Sequence, residues 1–373
     1  MKIELAPPVL DDEQRQEILK AFDSGQYILG KFTQAFEQEF AAFLGVRHAI
    51  AVSSGTSAIL LILKALEIGE GDEVIVPGHT AFPTIEPIFW LRARPVFVDV
   101  DETYTADPNA VARAITSRTK AILPVHLYGH PADMDRLQAI AERHRLPIVE
   151  DCCQAHGAEY QDRQVGTIGH AGAFSFFPSK NMTVAGDGGM IVTNDDALAQ
   201  TCRMLRNHGR TTKYEHALVG LNLRFNEIQA AVGRVQLRRL PAFTQRRRQV
   251  AAWYGTTLDP NHLTLPPEAP WARSVYHLYV VRTPLRDALA EHLKQQGIAT
   301  GLHYPTPAHL QPATLMLVPR VALPVTERIV KEILSLPIHP SLTPEEVQYV
   351  AEQVNTFFER ATPRRSPRAV SAR

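Results

Sequence analysis

Three short segments carry residue types that could do chemistry together. The first is Ala173-Phe174-Ser175-Phe176-Phe177-Pro178-Ser179-Lys180-Asn181. Phe174 and Phe176 alternate with smaller residues, so the segment reads as a strand whose end delivers Ser175 and, past a proline, Lys180. A lysine at the end of a buried strand, beside a desolvated pocket, loses its proton readily and can attack an aldehyde. A lysine after a strand is, taken alone, more often a solvated surface residue. Ala185-Gly186-Asp187-Gly188-Gly189 follows, and its glycines permit unusual backbone angles close to a ligand.

The second segment is Glu150-Asp151, closing the apolar run from Pro147 and followed by Cys152-Cys153-Gln154-Ala155-His156-Gly157. A carboxylate at a strand end can pair with a cationic ring nitrogen; its plainer role is a helix N-cap. The third is Ser53-Ser54-Gly55-Thr56-Ser57-Ala58, between a strand and a helix. Hydroxyls and amides at a helix N-terminus suit a phosphate, and the plainer reading is again capping. No Gly-Lys-Ser/Thr and no G-x-G-x-x-G occurs there, which sets aside a Walker loop and a dinucleotide fingerprint. An anion cup, a ring-nitrogen partner and an imine-forming lysine, in that order, match the needs of pyridoxal 5′-phosphate (PLP).

The elements around these segments alternate. Strands are expected at Ala49 to Val52, Glu73 to Val76, Pro95 to Val98, Lys120 to His126, Pro147 to Glu150, Ala171 to Phe177 and Gly189 to Thr193. Helices are expected from Ser57 to Leu66, Thr84 to Arg92, Asp133 to Arg145 and Asp195 to Asn207. The rhythm implies an α/β fold with a mainly parallel sheet covered on both faces, where ligands gather at the carboxyl ends of the strands. After Leu240-Pro241 a basic helical stretch (Arg246-Arg247-Arg248), a strand from Tyr276 to Arg282 and helices from Asp287 to Gln296 and Thr343 to Phe358 suggest a smaller α+β domain. The expected division is a large domain over 1–240, with residues 1–25 packing on the small domain, a small domain over 241–360, and a disordered Pro-, Ser- and Arg-rich tail over 361–373.

Composition narrows the function class. Among 373 residues, 39 Lys and Arg balance 39 Asp and Glu, so no net charge draws the chain to nucleic acid or to an anionic membrane. No apolar run has the length of a bilayer span, and Met1 to Pro8 lacks the pattern of a signal peptide. Three cysteines, Cys152, Cys153 and Cys202, form neither a disulfide framework nor a metal knuckle. These features read as a soluble, cytoplasmic protein without a structural metal.

The ordered motifs resemble the sugar aminotransferases of PLP fold type I, the DegT-type family. The resemblance runs from Ser54-Gly55-Thr56-Ser57-Ala58 through Val76-Pro77, Pro95-Val96-Phe97-Val98-Asp99, Glu150-Asp151 with Gln154-Ala155-His156-Gly157, and Pro178-Ser179-Lys180 to Gly186-Asp187-Gly188-Gly189. It continues through Asn222 and Arg224, Glu227-Ile228-Gln229-Ala230-Ala231, Gly301 with His303-Tyr304-Pro305, and Leu336-Pro337 with His339-Pro340.

It implies an aspartate aminotransferase-like fold and a ping-pong transfer of an amino group, by way of pyridoxamine phosphate, from glutamate or glutamine to a keto sugar, nucleotide-linked, in amino-sugar biosynthesis. It implies that Lys180 carries PLP as a Schiff base and relays the proton. Asp151 pairs with the ring nitrogen, Gln154 bonds the ring hydroxyl, and Thr56, Ser57 and Ser175 bind the phosphate. Asn222 reaches the neighbouring subunit's phosphate in a homodimer with shared active sites. His303, Tyr304 and Arg224 meet the substrates.

The family often places an aromatic ring over the cofactor where this chain has Ala81, in Pro77-Gly78-His79-Thr80-Ala81-Phe82. His79 or Phe82 could stack instead, or no ring does. Three rival functions share the resemblance: a PLP- or PMP-dependent sugar dehydratase, whose relatives typically carry histidine in place of the lysine; a cyclitol aminotransferase; and a non-catalytic regulator binding PLP or a sugar. His126, His130, His144, His156 and His170 lack metal spacing and read as packing or capping residues. Cys152-Cys153 reads as small packing residues, and Arg246-Arg247-Arg248 as a solvated helix face.

Overall fold

The computed structural model describes residues 1–361. The 361–373 tail therefore lies outside the described residues from 362 on, and Ala361 ends the last helix.

Seven strands form the central sheet: β1 (His48–Val52), β2 (Glu73–Pro77), β3 (Arg94–Val98), β4 (Thr119–Ile122), β5 (Val149–Asp151), β6 (Ala171–Ser175) and β7 (Gly189–Thr193). Pairings of β3-β2-β4 and β5-β6-β7-β1 are joined by parallel bridges from Ile122 to Ile148 and Val125 to Asp151, giving the order β3-β2-β4-β5-β6-β7-β1. Only β7 runs against its neighbours. The expected strand from Lys120 to His126 stops at Ile122, because Pro124 has no N–H for the ladder; its chain resumes contact with β5 through Val125.

Strand alternation sorts the core into two layers. Ile50 and Val52 of β1, with Ala171 and Ala173 of β6, face α3 (Gly55–Ala65) and its neighbours. Ala49, Ala51 and Phe174 face the other way, toward α1 (Asp12–Asp23) and α2 (Lys31–Leu44). There Phe174 and Phe176 pack edge-on against Phe40, with ring centroids 5.2 and 5.7 Å away. Helix α4 (Phe82–Trp90) begins two residues before the expected Thr84, with Pro83 in its first turn, where a missing N–H costs nothing. Helices α5 (Met134–His144) and α6 (Asp196–Leu205) are capped by Asp133 and Asp195.

A single helix, α7 (Glu227–Thr257), runs through the expected domain boundary at 241 with Pro241 inside it. Its basic stretch corrects the reading of a solvated face. Arg247 is buried, and its Nη1 donates to the carbonyls of Tyr276, His277 and Ile338 at 3.0 to 3.3 Å. Arg246 donates to Pro340 and Leu342 carbonyls, and Arg248 to that of Ser274. Charge counting at the sequence level cannot see that the chain returns to offer carbonyls there.

The helix is thereby fastened to a second sheet of β8 (Tyr279–Arg282) and β9 (Ile333–Leu336), covered by α8 (Arg286–Gln295) and α9 (Pro344–Ala361). Of the N-terminal segment expected on this unit, residues 3–5 join it, with Ile3 bridging Ile298 and the Leu5 carbonyl accepting from Ile338 N, whereas α1 packs through Ala21 into the large-domain core. Among the described residues no helix is long and apolar enough to cross a membrane.

Burial lowers the Arg247 pKa to about 10, still far above neutrality, so the guanidinium stays charged among carbonyls. Arg247→Ala strips three buried carbonyls of their donor and is expected to cost about 3 kcal/mol in a denaturant titration. A loss within ~0.5 kcal/mol, the range of ordinary surface substitutions, would show that the clamp does not hold α7 to the second sheet.

Candidate functional site

A cavity of about 560 Å³ opens at the carboxyl ends of β1, β2, β5 and β6. Its lining includes Thr56, Asp151, Gln154, Ser175, Lys180, His303 and Tyr304, so seven of the residues singled out in the sequence meet there. Three do not line it. Ser57 lies beneath, its hydroxyl engaged with Ser53 and Ser54 at 2.9 and 2.8 Å. Asn222 and Arg224 bond each other, Arg224 Nε donating to Asn222 Oδ1 at 3.0 Å.

One end of the cavity is the N-terminus of α3. Ser54 caps it, accepting from Ser57 N at 3.0 Å, so the capping reading of this segment holds as well. By helix geometry the Gly55 and Thr56 amides have no intrahelical acceptor and can serve an anion, helped by the positive end of the helix dipole. The close approach needs glycine. A Cβ at Gly55 would lie 2.7 Å from Cys153 Sγ and 2.8 Å from Ser175 Cβ. A Cβ at Gly189, which pairs with both Val52 and Ser175, would lie 2.3 Å from the Ser54 carbonyl oxygen. The expectation of unusual backbone angles at Gly186, Gly188 and Gly189 is corrected here: none is left-handed, and each is small because a neighbour presses on it.

Asp151 closes β5 and is buried. Its Oδ1 accepts from Cys153 N at 3.0 Å and its Oδ2 from Thr84 Oγ1 at 2.8 Å. Thr84 in turn sits 2.8 Å from Thr80 Oγ1. The carboxylate plane is thus set from two sides, with lone pairs left for a cationic ring nitrogen. Thr84 was not legible as a site residue; the one local hint is its spacing from Thr80, one helical turn away.

Gln154 accepts from Tyr128 N at 2.8 Å through Oε1 and donates to Tyr304 Oη at 3.0 Å through Nε2. Because an amide N–H needs an oxygen, the side chain can sit only one way round, and its second N–H remains for a phenolic oxygen. Burial pushes the Tyr304 hydroxyl up to about 12, and it stays protonated at neutral pH.

Lys180 follows the turn in which its N–H bonds the Phe177 carbonyl. Its side chain faces the open cavity, yet surrounding protein dehydrates the ammonium, and that burial lowers its pKa; Cys153 and Asp151 oppose the shift. Amine, carboxylate, amide donor and anion cup are the complement that PLP requires, so the residues present fit that cofactor. Of the two rings left for stacking, Phe82 lines the cavity; His79 is buried outside it, 2.6 Å from Tyr128 Oη.

Glu150, the neighbour of Asp151, has a different task. It accepts from the backbone N–H groups of Gly166, Ile168 and Gly169 and lies 2.9 Å from His126 Nε2. His126 Nδ1 accepts from Ala132 N, so Nε2 carries the proton and donates to Glu150. His126, Glu150 and Cys152 lie close enough together to suggest a metal cluster, but the His126 and Glu150 ligand atoms are already used in these bonds, which staple the loop after β5.

The chain matches the model of the DegT/DnrJ/EryC1/StrS aminotransferase family over residues 8–355. It is 47% identical over 347 residues to the dTDP-3-amino-3,4,6-trideoxy-alpha-D-glucose transaminase of Streptomyces venezuelae, covering 92% of this chain and 91% of that protein. It is 48% identical over 338 residues to the erythromycin biosynthesis sensory transduction protein EryC1 of Saccharopolyspora erythraea, covering 90% and 92%. The PMP form of a putative sugar aminotransferase from Streptococcus pneumoniae superimposes with a TM-score of 0.92 at 28% identity, covering 97% of this chain and all of that one.

The lowered pKa of Lys180 has a measurable consequence. A lysine whose folded pKa lies below 10.5 presents its neutral, nucleophilic amine at lower pH than an exposed lysine does. Capture of added PLP by the apoprotein, trapped with borohydride and located by mass spectrometry, is expected to rise with pH through a midpoint below 10.5. A midpoint at or above the ordinary lysine value would contradict the desolvated setting.

Proposed function

The chain belongs to the DegT/DnrJ/EryC1/StrS aminotransferase family, and on that premise we propose that it moves an amino group from glutamate or glutamine to the carbonyl of a nucleotide-linked keto sugar in amino-sugar biosynthesis. The observation that carries the reading is the meeting of Lys180, Asp151, Gln154 and the α3 N-terminus at one cavity. Named relatives at 39–48% identity include transaminases of dTDP- and UDP-linked sugars, which supports the substrate class.

PLP, when bound, supplies the carbon that carries the amino group between two half-reactions and a ring that draws electrons from the reacting bond. The side chains do the rest. Lys180 Nζ would hold the cofactor, and as a free amine it would stand as the base that carries a proton between the reacting carbons. Asp151, held by Thr84 and Cys153 N, keeps a proton on the ring nitrogen, which makes the ring an effective electron sink. Gln154 Nε2 donates to the ring hydroxyl. The Gly55 and Thr56 amides, with Thr56 and Ser175, take the phosphate.

His303 and Tyr304, which line the cavity, border the sugar. The resemblance also supports a cytoplasmic homodimer in which Asn222, exposed in the single protomer, completes the neighbouring phosphate site.

A regulatory reading enters because one relative carries a sensory-transduction name. A lysine amine held in the cavity counts against a protein that only binds. The deciding experiment follows the visible absorption of the PLP-loaded protein before and after glutamate or glutamine, for wild type and for Lys180→Ala. A band that collapses with the donor and is missing or unresponsive in the variant is expected, followed by amine transfer to dTDP- or UDP-linked keto sugars. Identical, donor-insensitive spectra for the two proteins would remove the aminotransferase reading and leave the regulator or dehydratase in its place.

A further inference from the structure

We propose that Tyr128, which does not line the cavity, is the positioning residue that sets the Gln154 amide and seats the His303–Tyr304 segment across the substrate side of the site; the inference rests on the function proposed above. Tyr128 lies in the turn Leu127–Gly129, between β4 and α5, with φ 59° and ψ 7°. A left-handed backbone is unusual for an aromatic residue and persists where surrounding contacts impose it. Here the conformation aims the Tyr128 N–H at Gln154 Oε1 at 2.8 Å, which decides the orientation of the amide and sends its nitrogen to Tyr304 Oη at 3.0 Å.

The hydroxyl makes a second link. It contacts the His303 carbonyl oxygen and lies 2.6 Å from His79 Nε2. A carbonyl can only accept, so it takes the single hydroxyl proton, and His79 must donate through Nε2. The bonding of His79 agrees: its Nδ1 has no partner among the described residues, as expected of the bare nitrogen of this tautomer.

Burial lowers the His79 pKa to about 3 and raises that of Tyr128, so both are neutral across the working pH range and the order of donors does not change. Tyr104 packs edge-on against both rings, at 6.4 Å from His79 and 5.4 Å from Tyr128. The result is a directed chain, His79 to Tyr128 to the His303 carbonyl, with a branch from Tyr128 N–H through Gln154 to Tyr304. It ties the loop after β2 and the loop after β5, through the turn after β4, to the His303–Tyr304 segment, 175 positions beyond Tyr128.

Tyr128→Phe separates the two links. The ring and the backbone N–H remain, so Gln154 keeps its anchor; the hydroxyl is lost, and the His303 carbonyl and His79 N–H lose their partner. The measurements are PLP affinity and absorption spectrum, the rate of the glutamate half-reaction, and the KM for a keto sugar that wild type accepts. The expected outcome is a KM for the keto sugar about 10-fold higher, the scale of one buried hydrogen bond, with PLP affinity, spectrum and glutamate half-reaction within about 2-fold of wild type.

An unchanged keto-sugar KM, or a parallel fall in both half-reactions and in PLP affinity, would overturn the positioning role. If Tyr128→Phe does not fold, His79→Phe breaks the same chain at its other end while leaving the Gln154 anchor. Because the Tyr128 hydroxyl then keeps its bond to the His303 carbonyl but loses the donor that orients it, a smaller rise in KM, still confined to the keto sugar, is expected, and no selective rise overturns the inference. Failure of wild type itself to respond to glutamate or glutamine would instead strike the proposed function, so the two failures are distinguishable.

Discussion

Two adjacent carboxylates, Glu150 and Asp151, end one strand and point to opposite sides of it, and the rest of the site depends on their being kept apart. Strand geometry separates them, since successive side chains leave on opposite faces. Glu150 is consumed by structure: three backbone N–H groups and the His126 ring satisfy it, and the loop 166–169 is stapled beneath the sheet. Asp151 is held by only two donors and faces the cavity. A buried carboxylate with spare lone pairs is costly unless a cation meets it. The protonated ring nitrogen of the proposed cofactor would satisfy that need.

The other half of the arrangement is a matter of space. The anion cup can reach the strand ends because Gly55 and Gly189 have no side chain where β1, β6 and β7 crowd against the α3 N-terminus. The antiparallel direction of β7 puts its first residue, Gly189, at the same end as the last residues of its neighbours, so the narrowest point of the sheet coincides with the site. Across the cavity the C-terminal unit contributes His303 and Tyr304. It is fastened to the large domain by the Tyr128 link to the His303 carbonyl, by Asp99 accepting from Val325 N and Thr326 N, and by Glu102 paired with Arg282 and Arg328 at 2.7 and 2.6 Å, while Arg247 holds α7 to the small sheet.

Much of this was legible in one dimension. The strands from β1 to β7 appear as short apolar runs between turn residues, and most helices between them carry Asp or Ser at their caps (α4, entered through Ala81 and Pro83, is the exception), so element type followed from local pattern. Lys180, Asp151, Gln154, Thr56 and Ser175 were legible because each stands at a strand end or helix start, where an α/β sheet gathers its ligands. Arg247 was misread because a triplet of arginines looks solvated until the chain brings carbonyls to it. Ser57, a good phosphate ligand by type, spends its hydroxyl on two neighbouring serines. The glycines after Lys180 read as sites of unusual backbone angles, whereas the constraint on them is contact with Ser54, Gln229 and Phe225.

The sequence by itself determined the order of elements and the chemical kinds of the groups at their ends, because hydrophobic period, caps and turn residues act over a few positions. Tertiary structure alone decided which of two neighbouring carboxylates is free, which way round the Gln154 amide sits, and that Thr84, Tyr128 and His79 belong to the support of the site. Those outcomes rest on hydrogen-bond directions and close approaches between residues tens to hundreds of positions apart, set only when the sheet and the C-terminal unit have packed together.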